Sequence, residues 1–145
     1  MLARLPDGFA GDALSAGLIG AVVSGIPSPA WSLTHRESVL AGACAAGAIL
    51  LRRERRPAAL LAAAVPVHLT LSLGWASVLA AALPRRAEPV WGAVAGLGIA
   101  ALDLGVIGRR IPSIRALPQA RQWADHVAFG LAVGLTLRAR RSARP

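Results

Sequence analysis

The run from Ala58 to Leu83, in which 26 consecutive residues carry no formal charge, constrains this chain most. A helix needs about 20 mainly apolar residues to cross a hydrocarbon core about 30 Å thick. The segment from Pro89 to Gly108 also meets this length, with 20 residues and the single acid Asp103. These two runs predict a protein surrounded by hydrocarbon rather than by water.

Five apolar segments alternate with short arginine clusters along the chain. They cover residues 9–26, 38–51, 58–83, 89–108 and 122–137. Charge collected between uncharged runs is typical of a multi-pass membrane protein. Neither the polar spacing of a soluble amphipathic helix nor the period-two alternation of a barrel strand is present. We therefore predict an all-α integral membrane helical bundle, formed by residues 1–145 as one domain with an arginine-rich tail at 138–145.

The number of spans depends on the two short segments, 38–51 and 122–137. If the last segment does not cross, thirteen arginines lie on one side of the membrane and three on the other. The positive-inside rule then predicts four transmembrane helices, a short fifth C-terminal helix and an N-terminus in the cytoplasm, with the plasma membrane as the location. A crossing by the fifth segment, as part of a longer helix from Gln119, stays open.

A cleaved signal peptide is an alternative interpretation of the first segment. The letters "SPA" before Trp31 resemble a small-x-small cleavage site. Asp7 and Asp12 stand beside a single arginine, Arg4, in the region that should be positive in a signal peptide. These two acids favour a retained helix.

The formal net charge of +9 comes from 16 basic residues, all of them arginine. No aromatic residue is interleaved among the clusters to stack on bases, so we expect no nucleic-acid partner. Arginines that flank apolar runs favour contacts with the lipid bilayer and its anionic headgroups, at about 1 kcal/mol for each arginine near the surface. Because Cys44 is the only cysteine, the chain has no intramolecular disulfide.

Small residues recur at four-residue spacing in several segments. Examples are Gly92 with Gly96 and Gly130 with Gly134. In lipid such stripes allow the backbones of two helices to approach closely. Packing within one bundle and packing across a homodimer interface both fit the pattern, and the sequence leaves the two open.

Asp103 is an acid within an apolar segment. An acid near the centre of a spanning helix costs about 2.5 to 3.5 kcal/mol. Asp103 lies only five residues before Gly108, directly ahead of Arg109, Arg110 and Arg115. We expect it to form an ion pair with one of these arginines. A proton or cation relay is the functional alternative.

The segment 58–83 carries a polar stripe. His68, Ser72 and Trp75 follow at i, i+4 and i+7, so they lie on one helix face. A polar stripe on a spanning helix faces protein or water. Hydrogen bonding across the bundle and the lining of a small polar pocket are the two interpretations.

Asp125 and His126 complete the set of candidate residues. They lie at the same membrane surface as Asp103, and His68 lies deeper in the same half. We predict one buried polar cluster, either structural or binding a solute or proton. No metal motif such as HExxH occurs, and no cofactor is expected.

Four stretches together resemble an uncharacterised group of small multi-pass integral membrane proteins of high-GC bacteria. They are "SGIPSPA", "HLTLSLGW", "ALDLGVIGRRIPSIRALP" and "ADHVAFG". The resemblance covers most of the chain and is densest over residues 101–130. It implies a helical membrane protein and no known activity.

The sequence therefore predicts an integral membrane protein of unknown role that is not an enzyme. No serine lies in a GxSxG elbow, and no nucleophile and base are paired by a motif. The alternative is a small oligomeric transporter or channel component for a proton, a cation or a small polar solute. Four or five short helices hardly surround a path alone, so transport predicts an oligomer.

Overall fold

The computed structural model describes residues 8–144, and Arg4 and Asp7 lie outside them. Within this range the chain is helical and contains no strand. The helices are α1 (Phe9–Ser24), α2 (Pro27–Thr34), α3 (Ala41–Gly47), α4 (Pro57–Ala82), α5 (Glu88–Leu102), α6 (Pro112–Arg115) and α7 (Gln119–Ser142). A π-helical turn (Asp103–Ile107) and a 3₁₀ turn (Gly108–Arg110) extend α5.

Helices α1 and α2 follow one another almost without a break. The N–H groups of Gly25 and Ile26 donate to the carbonyls of Val22 and Val23, three residues back, so the first helix tightens and ends. Pro27 then begins α2, where its missing N–H costs nothing. Together the two helices give an apolar stretch of 26 residues, Phe9–Thr34.

Three helical stretches are long and apolar enough to cross a membrane. They are Phe9–Thr34, Pro57–Ala82 and Glu88–Arg110. Each begins where the sequence predicts an apolar segment, and this much of the predicted membrane bundle is confirmed. Such a set of helices is compatible with a membrane protein.

The predicted spanning helix at 38–51 is not confirmed. Only seven residues, Ala41–Gly47, form the helix α3. At 1.5 Å per residue, α3 is roughly 10 Å long, which is far short of a bilayer core. Gly47 packs on the backbone of Leu60, where an added Cβ would lie 1.9 Å from the carbonyl oxygen. The segment therefore lies against the start of α4.

The last helix is longer than the predicted segment 122–137. Helix α7 has 24 residues and begins at Gln119, as the open alternative supposed. It runs antiparallel to α1 and α5 along their whole length, from a contact between Arg121 and Ser32 to one between Arg140 and Asp12. The long helices α1–α2, α4, α5 and α7 thus form an antiparallel bundle.

Helices α5 and α7 meet backbone to backbone at glycines. A Cβ added at Gly92 would lie 2.2 Å from the Gly130 carbonyl oxygen, and one added at Gly96 would lie 2.3 Å from that of His126. A Cβ at Gly134 would similarly lie 2.3 Å from the Glu88 carbonyl oxygen. The sequence left open whether these two glycine motifs pack within one bundle or across a homodimer interface. In the structure they pack against each other within one chain.

The bundle has two halves, each with its own polar residues. We call the half with the chain ends and the α4–α5 connection the terminal half, and the half with Ser28, Asp103 and Asp125 the loop half. The apolar core occupies the middle and the terminal half, around Phe129 and Val133. The predicted polar residues Asp103, Asp125 and His126 lie in the loop half.

Candidate polar site in the loop half

Asp103 lies at the end of α5, where the helix widens into a π-helical turn. The N–H of Gly108 donates to the Asp103 carbonyl, which closes this turn. The carboxylate oxygen Oδ2 accepts a hydrogen bond from Trp75 Nε1 at 3.2 Å and lies 3.6 Å from His126 Nε2. Asp103 thus joins α4, α5 and α7 at one point.

The contact between Asp103 and His126 is an ion pair when the imidazole is protonated. His126 Nδ1 lies 2.7 Å from the Gln122 carbonyl oxygen and donates to it, because a carbonyl only accepts. A neutral ring in that tautomer would turn the Nε2 lone pair toward the carboxylate. An imidazolium removes the repulsion, because Nε2 then carries a proton. At 3.6 Å the pair is a charge contact rather than a hydrogen bond.

The predicted ion pairs of Asp103 with arginine are not formed. Among residues 8–144, Asp103 pairs with His126 and not with Arg109, Arg110 or Arg115. The 3₁₀ turn that follows the π-helical turn places Arg109 and Arg110 at the exposed end of α5. The carboxylate instead turns sideways toward α7.

Asp125 holds the start of α2. Its carboxylate accepts a hydrogen bond from the Ser28 N–H at 2.9 Å and another from the Ser28 hydroxyl. Gln122 Nε2 donates to the same hydroxyl oxygen at 3.2 Å. The residue before α2, Ile26, offers no capping side chain, so Asp125 supplies the cap from another helix. The negative charge also suits the positive end of the helix dipole.

His68 lies apart from Asp103 and has a different partner. Its Nε2 donates to the Ala21 carbonyl oxygen at 2.9 Å. That carbonyl lacks its usual backbone partner because the Gly25 N–H donates to Val22 instead, and the Ser24 hydroxyl also donates to it at 3.3 Å. His68 thus satisfies the break between α1 and α2, while Ser72 is buried one turn further along α4. The predicted cluster therefore divides into three separate contacts.

Arg121 adds a contact that sequence reasoning missed. It donates from Nη1 to the Ser32 hydroxyl at 2.9 Å and forms an ion pair with Glu37 at 2.6 Å. The guanidinium thereby fixes the C-terminal end of α2 to the start of α7. The sequence could have suggested this contact only if the packing of α7 along α1 and α2 had been known.

The terminal half contains buried ion pairs that were also missed. Asp12 is buried and accepts hydrogen bonds from Arg140 and Arg144. Glu88, also buried, lies 3.7 Å from Arg141. These arginines belong to the tail at 138–145, most of which continues helix α7 alongside the start of α1. Had the sequence analysis extended the last helix to Ser142, it would have placed the tail arginines beside Asp12 and predicted this pairing.

The chemistry available in the loop half is that of hydrogen bonding and charge pairing. Among residues 8–144, no three His, Cys, Asp or Glu side chains come together as a metal group. No family model matches the chain, and neither a curated protein nor a solved structure is similar to it. The resemblance to membrane proteins of high-GC bacteria therefore stays a prediction.

Proposed function

We propose that the chain is a multi-pass integral membrane protein whose α1–α2, α4, α5 and α7 cross the bilayer, and that it is not an enzyme. The supporting observation is the exposure of its apolar helices. Each of the three long apolar helices contains an apolar stretch of 18 residues. Only 39% of this stretch is buried within the chain in Phe9–Thr34, 17% in Pro57–Ala82 and 28% in Glu88–Arg110. Hydrocarbon covers such surfaces at no cost, whereas water exposes them to the full hydrophobic penalty.

The polar residues of the loop half have a structural role in this proposal. Trp75, Asp103 and His126 connect α4, α5 and α7, and Asp125 connects α7 to Ser28 of α2. In a medium where apolar contact does not drive helices together, these bonds set their relative positions. The apolar core of the terminal half interrupts the polar residues. That interruption favours a structural role over a relay through one chain.

The alternative proposal is a component of an oligomeric transporter or channel. One observation favours it: Asp103 and His126 lie 3.6 Å apart and keep 19% and 22% of their side-chain surface exposed. A proton, a cation or a small polar solute would reach this pair from the loop half. The path to the other side would then have to lie between copies of the chain.

The short helix α3 supports a proposal for the orientation, in which segment 38–51 does not cross the membrane. The loop half carries nine arginines of the described residues and the terminal half six. We therefore propose that the loop half faces the cytoplasm and that the described ends, near Gly8 and Arg144, face away from it. This proposal replaces the cytoplasmic N-terminus, which assumed that segment 38–51 crosses.

Membrane extraction tests the proposed function. We expect the full chain to sediment with membranes after alkaline carbonate washing and to require detergent for release. A dispersed, monomeric chain in plain buffer would overturn the proposal. Reconstituted into liposomes, the chain should also leave proton and cation flux unchanged. A flux that disappears in Asp103→Asn would establish the transporter alternative instead.

A further inference from the structure

An open cleft of about 500 Å³ lies beside the end of α5. Its lining residues come from the π-helical turn, the 3₁₀ turn, α6 and the start of α7. They are Leu104, Gly105, Arg109, Arg115, Gln119 and Trp123. The cleft therefore combines two cations, an indole and an apolar wall in one concave surface.

The two arginines of the cleft are not engaged by the protein. Within residues 8–144, neither Arg109 nor Arg115 has an ion-pair or hydrogen-bond partner for its side chain, whereas Arg121 nearby is held by Glu37. Gln119 Nε2 donates to the carbonyls of Ile114 and Leu117, at 3.2 and 2.9 Å. This fixes the loop that presents Arg115. Two guanidiniums in one cleft without a carboxylate attract an anion, and their planar donors suit phosphate oxygens.

The position of the cleft identifies the source of the anion. In the proposed membrane arrangement, on which this inference rests, the end of α5 lies where hydrocarbon gives way to headgroups. Leu104 is largely buried and forms the apolar wall of the cleft, and Trp123 has the amphipathic ring that is enriched at membrane interfaces. We propose that this cleft binds the phosphate of an anionic phospholipid, with the lipid's glycerol end against the apolar wall at Leu104. A dissolved phosphate would use the arginines but not Leu104.

Gly105 keeps part of the cleft open. A Cβ added there meets no atom within 4 Å, although the residue lines the cleft. A larger side chain at 105 would therefore occupy the space without changing any charge. Gly98 on the same helix also has open space at its Cβ but does not line the cleft. The pair supplies a steric test and its matched control.

The charge test uses the full chain in a neutral detergent with phosphatidylglycerol or phosphatidylcholine, read by native mass spectrometry and by thermal unfolding. Phosphatidylglycerol should bind and raise the midpoint of unfolding, and phosphatidylcholine should not. The double variant Arg109→Gln/Arg115→Gln should bind phosphatidylglycerol roughly thirty-fold more weakly, because each arginine near an anionic headgroup contributes several-fold to the affinity. The matched variant Arg85→Gln/Arg86→Gln removes two exposed arginines of the terminal half and should bind normally. Equal losses in both double variants would overturn the proposal.

The steric and phosphate arms complete the test. Gly105→Leu should weaken phosphatidylglycerol binding while Gly98→Leu leaves it unchanged, and no effect of Gly105→Leu would contradict the assigned cleft. Inorganic phosphate should neither stabilise the chain nor displace the lipid at millimolar concentration; if it does both, the ligand is free phosphate and the lipid proposal is wrong. A chain that needs no detergent would instead defeat the membrane proposal itself.

Discussion

Asp103 shows how a carboxylate is accommodated near the end of an apolar helix. An indole N–H and an imidazole ring approach the same oxygen, at 3.2 and 3.6 Å. The carboxylate is thus contacted by side chains from two neighbouring helices. A π-helical turn begins at the same residue, and such turns recur where a helix presents a polar side chain.

The first prediction concerns the coupling between Asp103 and His126. Asp103→Asn keeps an oxygen for Trp75 but removes the charge facing His126, so the free energy of unfolding in mild detergent should fall by about 1 to 3 kcal/mol. His126→Gln should lower it too. A double-mutant cycle should give a coupling of about 0.5 kcal/mol or more. Arg110→Gln is the control, because its effect should add to that of Asp103→Asn; coupling to Arg110 rather than to His126 would contradict the assigned pair.

Glu54 gives a prediction about pH at an exposed loop. The Arg56 guanidinium and the N–H groups of Arg56 and Arg55 lower the pKa of this carboxyl from 4.5 to about 2. Because the pKa in the folded chain is lower, the contribution of Glu54 to stability is fully present above pH 4.5 and is lost as the pH falls toward 2.

A carboxyl titration followed by carbon NMR should give a midpoint near 2 for Glu54. In Arg56→Gln the midpoint should move up toward 4.5, the ordinary value for this group. Arg52→Gln, in the same loop but not bonded to Glu54, should leave the midpoint unchanged. An unchanged midpoint in Arg56→Gln would show that the guanidinium is not the cause.

At the scale of the element, the interface between α5 and α7 depends on the absence of side chains. Gly92 and Gly130 face each other so closely that a Cβ on either would meet the backbone of the other helix. Close approach gains dispersion and weak hydrogen bonds, which are the forces available inside a bilayer. The sequence predicted the small residues but could not predict which helices they join.

Gly92→Ala should therefore force α5 and α7 apart. We expect the free energy of unfolding to fall by about 1 to 3 kcal/mol, the usual cost of overpacking. Gly98→Ala, on the same helix with open space at its Cβ, should be neutral or slightly stabilising. Chemical unfolding of both variants in the same detergent makes the comparison. Equal losses would mean that helix propensity, rather than the interface, controls the effect.

Hydropathy alone predicts some of these elements and fails for others. The apolar stretches of α1, α4 and α5 were predicted correctly because length and lack of charge are properties of the segment itself. Helix α7 is not among the three helices apolar enough to cross. Its polar side chains contact Asp12, Ser28 and Asp103, which are distant in sequence. Likewise, the sequence predicted that Asp103 and His126 lie in the same half of the bundle, but not that they pair. Their pairing depends on the π-helical turn at Asp103, which no sequence pattern predicts.

At the scale of the whole molecule, the two ends of the bundle are closed differently. Buried Asp12 and Glu88 hold the tail arginines at one end. At the other end, Arg109 and Arg115 have no ion-pair or hydrogen-bond partner within residues 8–144. The tail is therefore less available to anionic lipid than its charge suggests. The cationic surface is concentrated in the loop half.

Labelling of single cysteines tests this arrangement. In a Cys44→Ala background, Arg36→Cys and Arg53→Cys should react from the same side of the membrane, because α3 between them is too short to cross. That side should be the cytoplasm, so a membrane-impermeant maleimide should label both only after permeabilisation. Arg85→Cys should react in intact cells. Labelling of positions 36 and 53 from opposite sides would restore a crossing at 38–51.

The glycine contact between α5 and α7 bears on biogenesis. A segment carrying Arg121, Asp125 and His126 partitions poorly from the translocon into lipid when it is alone. Pressed against α5, α7 gains the backbone contacts of Gly92 and Gly130, and the carboxylate of Asp103 meets His126. We therefore expect α5 and α7 to enter the bilayer together as a helical hairpin, because contacts with α5 stabilise α7 there.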